Sequence, residues 1–103
     1  MTSVTFTREA PSHHEDGPSY TIKVDGQFVG EIITDTDRDE STGSYRISCY
    51  TVDLHGHRHK FFSVKRTVWS FSGGEWRTLG EYETARKALA AAKAYARKLL
   101  GDG

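Results

Sequence analysis

The sequence predicts an α+β fold in a single domain, with an antiparallel sheet of four to six strands and one C-terminal helix packed across one face. Apolar and polar side chains alternate over much of the stretch from Tyr20 to Leu79, which is the period of a β-strand. The pairs Asp25-Gly26 and Gly73-Gly74 are typical of tight hairpin turns. From Thr84 the apolar residues change to a helical period.

Length and composition set the scale of this fold. A chain of 103 residues fits one domain, residues 1–103, with one hydrophobic core. Only 36% of the residues are apolar while 12% are aromatic, which indicates a core made of a few bulky side chains.

The same composition bears on the cellular setting. The only cysteine, Cys49, excludes an internal disulfide, suits a reducing cytoplasm and is interpreted as a small buried hydrophobe. The sequence has no secretory signal pattern and no run of roughly 18 apolar residues, the length of a membrane span. We therefore expect a soluble cytoplasmic protein without membrane association.

The first elements are strands. Residues 2–7 are predicted as a short strand and 8–18 as a loop containing both prolines. A hairpin follows, with arms 20–24 and 27–34. In its second arm Phe28 and Ile32 are expected on one face, and Gly30 indicates a weak point or a bulge.

Further strands are predicted in the middle of the chain. The polar segment Asp35 to Gly43 is expected to be an exposed connection, and 54–59 a loop. The strands around them cover 44–53, 60–71 and 75–79. The turn position decides whether Trp76 lies opposite Phe71 or Trp69, and either register makes a cross-strand aromatic pair.

The final element is a helix over about 84–100, with Thr84 as its N-cap and Gly101 as its stop. Its apolar residues fall on one side, and no acidic residue lies inside it. The opposite, solvent side is predicted to be basic, and the bases on or beside it are Arg86, Lys87, Lys93, Arg97 and Lys98.

One helix cannot cover both faces of the predicted sheet. Phe61 and Trp69 fall on one side of the 60–71 strand, and Phe62 and Val68 on the other. The uncovered face must curl onto itself, be covered by the N-terminal segment, or contact a partner.

Formal charge divides the chain into two halves. Residues 1–53 carry ten acids and four bases, a net charge of −6, whereas residues 54–103 carry ten bases and four acids, a net charge of +6. Such a division predicts electrostatic partners or halves that face one another, and it also allows self-association.

The acidic excess is greatest in the predicted connection, at Asp35, Asp37, Asp39 and Glu40. The first three alternate as in a calcium-binding EF-hand loop, but the required glycine and bidentate glutamate are missing. We interpret this segment as a solvated acidic loop and a candidate surface for a basic protein partner.

Three histidines, His55, His57 and His59, occupy alternate positions. On an extended backbone they would project to one side and could hold a metal ion with Asp53, or with His13 and His14. The spacing matches no established zinc motif, so we predict a solvated loop and no metal.

The basic helix face also fits phosphates, with Trp69, Phe71 and Trp76 as exposed aromatic candidates that could stack on bases. No nucleophile lies in a recognisable catalytic context such as Gly-x-Ser-x-Gly. We therefore predict no enzyme activity and no cofactor.

Two resemblances bear on function. The ending from Gly80 to Leu100 is similar to the final helix of double-stranded-RNA-binding domains at Thr84, Ala88 and Ala92. The paired lysines are displaced to Arg86-Lys87 and no first helix is predicted, so the chain is not assigned there. In overall make-up it resembles the small sheet-plus-helix accessory proteins of actinobacterial bacteriophages, which implies a viral inhibitor of a host or defence protein.

Together these features predict a non-enzymatic binding module that acts on a protein partner through oppositely charged surfaces. The alternative is a nucleic-acid-binding domain that uses the basic helix face and the sheet aromatics.

Overall fold

A computed structural model of the chain describes residues 3–11, 17–39, 42–70 and 73–101. They form seven strands and one helix, which confirms the predicted α+β class. The elements in chain order are β1 (Val4–Glu9), β2 (Ser19–Val24), β3 (Gln27–Arg38), β4 (Tyr45–Leu54), β5 (His57–Ser63), β6 (Arg66–Ser70), β7 (Glu75–Leu79) and α1 (Ala85–Leu99).

The first five strands form one antiparallel sheet in the order β1-β2-β3-β4-β5, and β6 and β7 form a separate two-stranded sheet. Two tight turns set the shape of the larger sheet. Asp25 and Gly26 have φ values of 51° and 83°, as the sequence predicted, and His55 and Gly56 repeat this geometry with 53° and 80°. The predicted loop 54–59 is therefore wrong, because the chain turns in two residues and β5 begins at His57.

The core lies between the five-stranded sheet and α1. The buried face of the helix consists of alanines, Ala88, Ala92 and Ala96, all fully buried. Because these side chains are small, the helix backbone can approach the sheet closely. The sheet contributes fully buried Ile22, Ile32 and Val52 on the facing side.

Aromatic contacts fix α1 over β5. The buried Phe62 ring lies 5.6 Å from the ring centroid of Tyr95 on the helix and 6.1 Å from that of Tyr82 in the preceding segment. At the helix start, the Thr84 hydroxyl accepts a hydrogen bond of 3.2 Å from the Lys87 backbone N–H. Gly101, with φ 77°, follows the helix end, so the predicted helix and both of its boundary signals are confirmed.

Residues 35–38 do not belong to an exposed connection. They complete β3, where Thr36 pairs with Ile47 and Arg38 pairs with Tyr45. The prediction was wrong because this end of the strand is held by backbone pairing, which does not depend on apolar side chains. β1 likewise extends to Glu9, two residues beyond the predicted strand end.

A bulge at Val29 changes which side chains of β3 face the core. Ile22 pairs with Gly30 and Lys23 with Phe28, so Val29 has no partner on β2. Phe28 is consequently 66% exposed whereas Ile32 is buried, which corrects the prediction that they share a face. Gly30 fits this site because a side chain there would overlap the backbone of Asp53 and Leu54.

The predicted long strand 60–71 is two strands, separated at Val64 and Lys65. There the Lys65 N–H donates to the Tyr82 carbonyl at 2.6 Å, and Val64 forms a parallel bridge with Tyr82. The hairpin of β6 and β7 therefore leaves the larger sheet. The molecule is elongated, with extents of 52 × 27 × 22 Å.

Candidate functional site

The most distinctive surface is the hairpin formed by β6 and β7, which carries both tryptophans of the chain. Trp69 and Trp76 are cross-strand partners, with ring centroids 5.1 Å apart and ring planes at 65°. This edge-to-face pair confirms one of the two predicted registers. Phe71, the other candidate, lies outside the described residues.

The tryptophan pair is open to solvent. Trp69 is 46% exposed and Trp76 is 68% exposed, although tryptophan side chains are on average highly buried. The next pair on the same side, Thr67 and Thr78, is also exposed. The two indoles therefore form an apolar patch bordered by hydroxyls.

The opposite side of the hairpin is also partly apolar. Val68 is half-buried there, and Leu79 is exposed near the base. A two-stranded ribbon has no layer of its own against which to bury two apolar sides. A partner that packed against the hairpin would therefore bury apolar side chains that the described structure leaves exposed.

The base of the hairpin is held by an ion pair between the Arg66 guanidinium and the Asp37 carboxylate. Directly after β7, Gly80 adopts φ 99° and lies so close to Val64 that a side chain on Gly80 would collide with the Val64 carbonyl. Asp37 comes from the acidic half of the chain and Arg66 from the basic half. The acidic and basic halves of the chain therefore meet at this ion pair, which joins one charge of each half.

A pocket of about 280 Å³ lies beside this ion pair. It is lined by Cys49 and Ser48 from β4, by Ser63 from β5 and by Leu79 and Gly80 from the end of the hairpin. Its walls combine small polar groups with aliphatic carbons. The pocket marks the junction between the larger sheet and the hairpin.

The predicted acidic loop has a different character in the structure. The Asp35 carboxylate accepts hydrogen bonds of 3.3 Å from the Cys49 thiol and the Thr51 hydroxyl. In the connection to β4, the Asp39 backbone N–H donates a 2.7 Å hydrogen bond to the Ser44 carbonyl. Together with the Asp37 ion pair, these contacts place 35–38 in the end of β3 and Asp39 directly after it, and Glu40 lies outside the described residues. The description of 35–40 as a solvated loop is wrong for 35–38, which belong to β3.

Cys49 is expected to react slowly with thiol reagents at neutral pH. Burial and the neighbouring Asp35 carboxylate raise the pKa of its thiol, so less of the reactive thiolate is present at a given pH. Labelling with a maleimide from pH 7 to 10 should show a rate that still rises at pH values where free cysteine has levelled off. A plateau at or below the free-cysteine pH would contradict this expectation.

The basic side of α1 is not a continuous solvent face. The Lys93 ammonium lies 5.1 Å from the Tyr20 ring centroid and 5.7 Å from that of Phe6. The Arg97 guanidinium lies 5.0 Å from the same Phe6 ring. These are cation–π distances, and they fix the helix to strands β1 and β2.

The remaining helix bases are exposed. Lys87 forms an exposed ion pair with Glu83 at 3.2 Å, and Arg86 and Lys98 are exposed. The prediction of one basic row facing solvent is therefore wrong for Lys93, which is half-buried, whereas Arg97 is exposed although its guanidinium lies over Phe6. A helical wheel considers the helix alone, whereas the rings of Phe6 and Tyr20 come from distant strands.

The histidines do not alternate on one extended strand. His55 lies in the turn, and a bulge in β5 at His59 interrupts the pattern after His57. Among the described residues, no group of three or more His, Cys, Asp or Glu side chains is placed to hold a metal ion. His13 and His14 lie outside these residues.

The sheet face opposite α1 carries two separate phenylalanines, Phe28 and Phe61, which are 66% and 56% exposed. β1 pairs at the sheet edge, so it does not cover this face. Covalent sequence order could not show this, because an N-terminal strand can either pair with a sheet or lie across it.

In comparisons with known proteins, no family model matches the chain, and neither a curated protein nor a solved structure gives a match. In the described part of the chain, α1 is neither long enough nor apolar enough to cross a bilayer. The features of the chain that bear on function are therefore its own surfaces, the exposed hairpin above all.

Proposed function

We propose that this protein is a non-enzymatic protein-binding module whose contact surface is the hairpin of β6 and β7. The observation that carries the proposal is the exposed edge-to-face pair of Trp69 and Trp76 on a ribbon that projects from the larger sheet. Tryptophan is among the residues most enriched at binding hot spots, where it fills a pocket and loses its water.

The energetics of the ribbon support this proposal. Exposed indole surface is unfavourable in water, and an isolated two-stranded hairpin is only marginally stable. A partner that covers the tryptophan side removes apolar area from water and rigidifies the ribbon in one step. The rigid cross-strand pair also loses little side-chain entropy on binding.

Charge around the pair indicates the kind of partner. Lys65, directly before β6, and Arg77, on β7, are exposed bases, whereas Glu75 is the one acid of the hairpin. Arg66 is already paired with Asp37. We therefore propose an apolar groove with an acidic rim on the partner, so the role first assigned to the acidic segment passes to the hairpin and the lysine that precedes it.

The setting of this interaction is part of the same proposal. The single cysteine and the resemblance to actinobacteriophage accessory proteins support a cytoplasmic role on a host or defence protein. The basic helix supports a nucleic-acid alternative less well, because Lys93 and Arg97 lie over rings of the protein's own sheet.

The proposal is tested by affinity capture from an extract of the cells in which the chain is made, with wild type, Trp69→Ala and Trp76→Ala compared side by side. The matched control is Phe28→Ala, since Phe28 is about as exposed as Trp76 but lies on the larger sheet. A specific partner should be retained by wild type and by the control. Its affinity should fall about 30-fold in each tryptophan variant, the size of a hot-spot loss.

Intrinsic fluorescence gives a direct second readout, because both tryptophans of the chain lie on the hairpin. Addition of the purified partner should shift their emission to the blue as water is excluded. Equal retention by all four proteins would refute the proposal. Salt-sensitive binding of a single-stranded oligonucleotide that is lost in Trp69→Ala would instead establish the nucleic-acid alternative.

A further inference from the structure

We infer that the outer edge of β7 pairs with β7 of a second copy, in an antiparallel register with Trp76 on the two-fold axis. The inference deepens the proposed function, on which it rests for the role of the hairpin. It names a second copy as the partner of the hairpin edge and leaves the tryptophan side for another protein. Its test is a separate one.

The edge itself is available. In the described structure β6 and β7 pair only with each other, so no described strand covers the outer side of β7. All five residues of β7 are exposed. An uncovered edge presents unpaired N–H and C=O groups, which pair readily with another strand.

The sequence of β7 is charge-complementary to itself. When Trp76 lies opposite Trp76 of a second copy, antiparallel pairing places Glu75 opposite Arg77 of that copy, and Arg77 opposite its Glu75. Both unlike pairs form at once, and cross-strand neighbours of opposite charge stabilise a sheet.

Neighbouring registers lose this match. Centring the pair on Arg77 sets two guanidinium groups opposite each other, and centring it on Glu75 does the same for two carboxylates. Like charges directly opposite destabilise a sheet. Within this strand the charges therefore select the register centred on Trp76.

The same register aligns the tryptophans. Cross-strand partners share a face, so Trp69 and Trp76 of one copy continue into Trp76 and Trp69 of the other. The result is a four-stranded sheet with four indoles in one row. Such a sheet exceeds the two-strand limit at which a ribbon is only marginally stable.

The test is a charge exchange read by light scattering coupled to size exclusion and by sedimentation equilibrium. Wild type should form a dimer, and Glu75→Arg and Arg77→Glu should each weaken dimerisation by about 10-fold or more, since each creates like-charge pairs. The double variant should regain the dimer. A 1:1 mixture of the two single variants should form a heterodimer, because every opposing pair is then unlike.

The matched control is Glu81→Arg, an exposed acid outside the hairpin, which should leave the dimer unchanged. Wild type that stays monomeric at all concentrations would overturn the inference, as would single variants that dimerise like wild type. The proposed function is refuted by a different result, namely equal capture of the partner by wild type and by the tryptophan variants. A monomeric wild type that still shows that capture refutes the edge pairing alone.

Discussion

Replacing Phe62 with alanine is expected to lower the free energy of unfolding by about 3–5 kcal/mol, the usual cost of emptying a buried phenylalanine site. Phe62 is only 2% exposed and contacts rings from two other segments, Tyr82 and Tyr95. Its loss leaves a cavity where β5, the helix and the exit from the hairpin meet. Since small domains have about 5–15 kcal/mol in total, this change removes a large share of the stability.

Urea denaturation followed by far-UV circular dichroism measures this effect. Phe61→Ala is the matched control, because its side chain is 56% exposed on the other face of the same strand and should cost less than about 1 kcal/mol. Equal losses for Phe61 and Phe62 would show that α1 does not pack on β5 as described. Tryptophan fluorescence, recorded in parallel, reports the hairpin and not the core.

Replacing Gly30 with alanine is expected to destabilise the protein by about 2–3 kcal/mol through overpacking. A Cβ atom there would overlap the Asp53 carbonyl oxygen and lie 2.9 Å from the Leu54 Cα, well inside contact distance. Both obstacles are backbone atoms of β4, so relief requires β3 and β4 to move apart. The melting temperature should fall by about 8 °C or more for a domain of this size.

The control for this substitution is Gly73→Ala in the hairpin turn. A Cβ at Gly73 would meet only side-chain carbons of Glu75, at 3.9 Å and 4.0 Å. We expect a change within about 0.5 kcal/mol. If Gly30→Ala had the same melting temperature as Gly73→Ala, the register that places Gly30 opposite Leu54 would be wrong.

Local signals in the sequence predicted the elements that depend on local chemistry. The helix has a capping threonine, an alanine face and a terminal glycine, and the first hairpin has Asp25-Gly26 in its turn. These features act within a few residues along the chain. Their positions were correct to within one or two residues.

The remaining elements depend on contacts between distant segments. Asp35 to Arg38 continue β3 because β4 offers backbone partners, and nothing in their polar side chains indicates a strand. The break at Val64 and Lys65 has no turn residues, since Tyr82 provides the hydrogen-bond partner that redirects the chain. Gly80 adopts a positive φ where the chain leaves β7, but a glycine at that position in the sequence does not by itself indicate this conformation.

The candidate site could be predicted in part. Pairing of Trp76 with a second aromatic followed from the turn chemistry and the alternation of the strand. Trp69 and Trp76 were among the exposed aromatic candidates, and both are exposed in the structure. That they lie on a hairpin separate from the larger sheet could not be predicted, because the sequence indicated one long strand within a single sheet. The acidic and basic surfaces were overestimated for the same reason, since the ion pair of Asp37 with Arg66 and the rings beneath Lys93 come from distant parts of the chain.

The projecting hairpin has a consequence for how the protein moves through solution. The longest dimension of the whole protein, 52 Å, is about twice either of the others. The radius of gyration, 15.5 Å, exceeds the value of about 13 Å for a compact chain of this length. Such a shape experiences more friction than a sphere of 11.6 kDa. A single copy should therefore elute from a gel-filtration column ahead of globular standards of its mass, in the range where a small dimer would be expected.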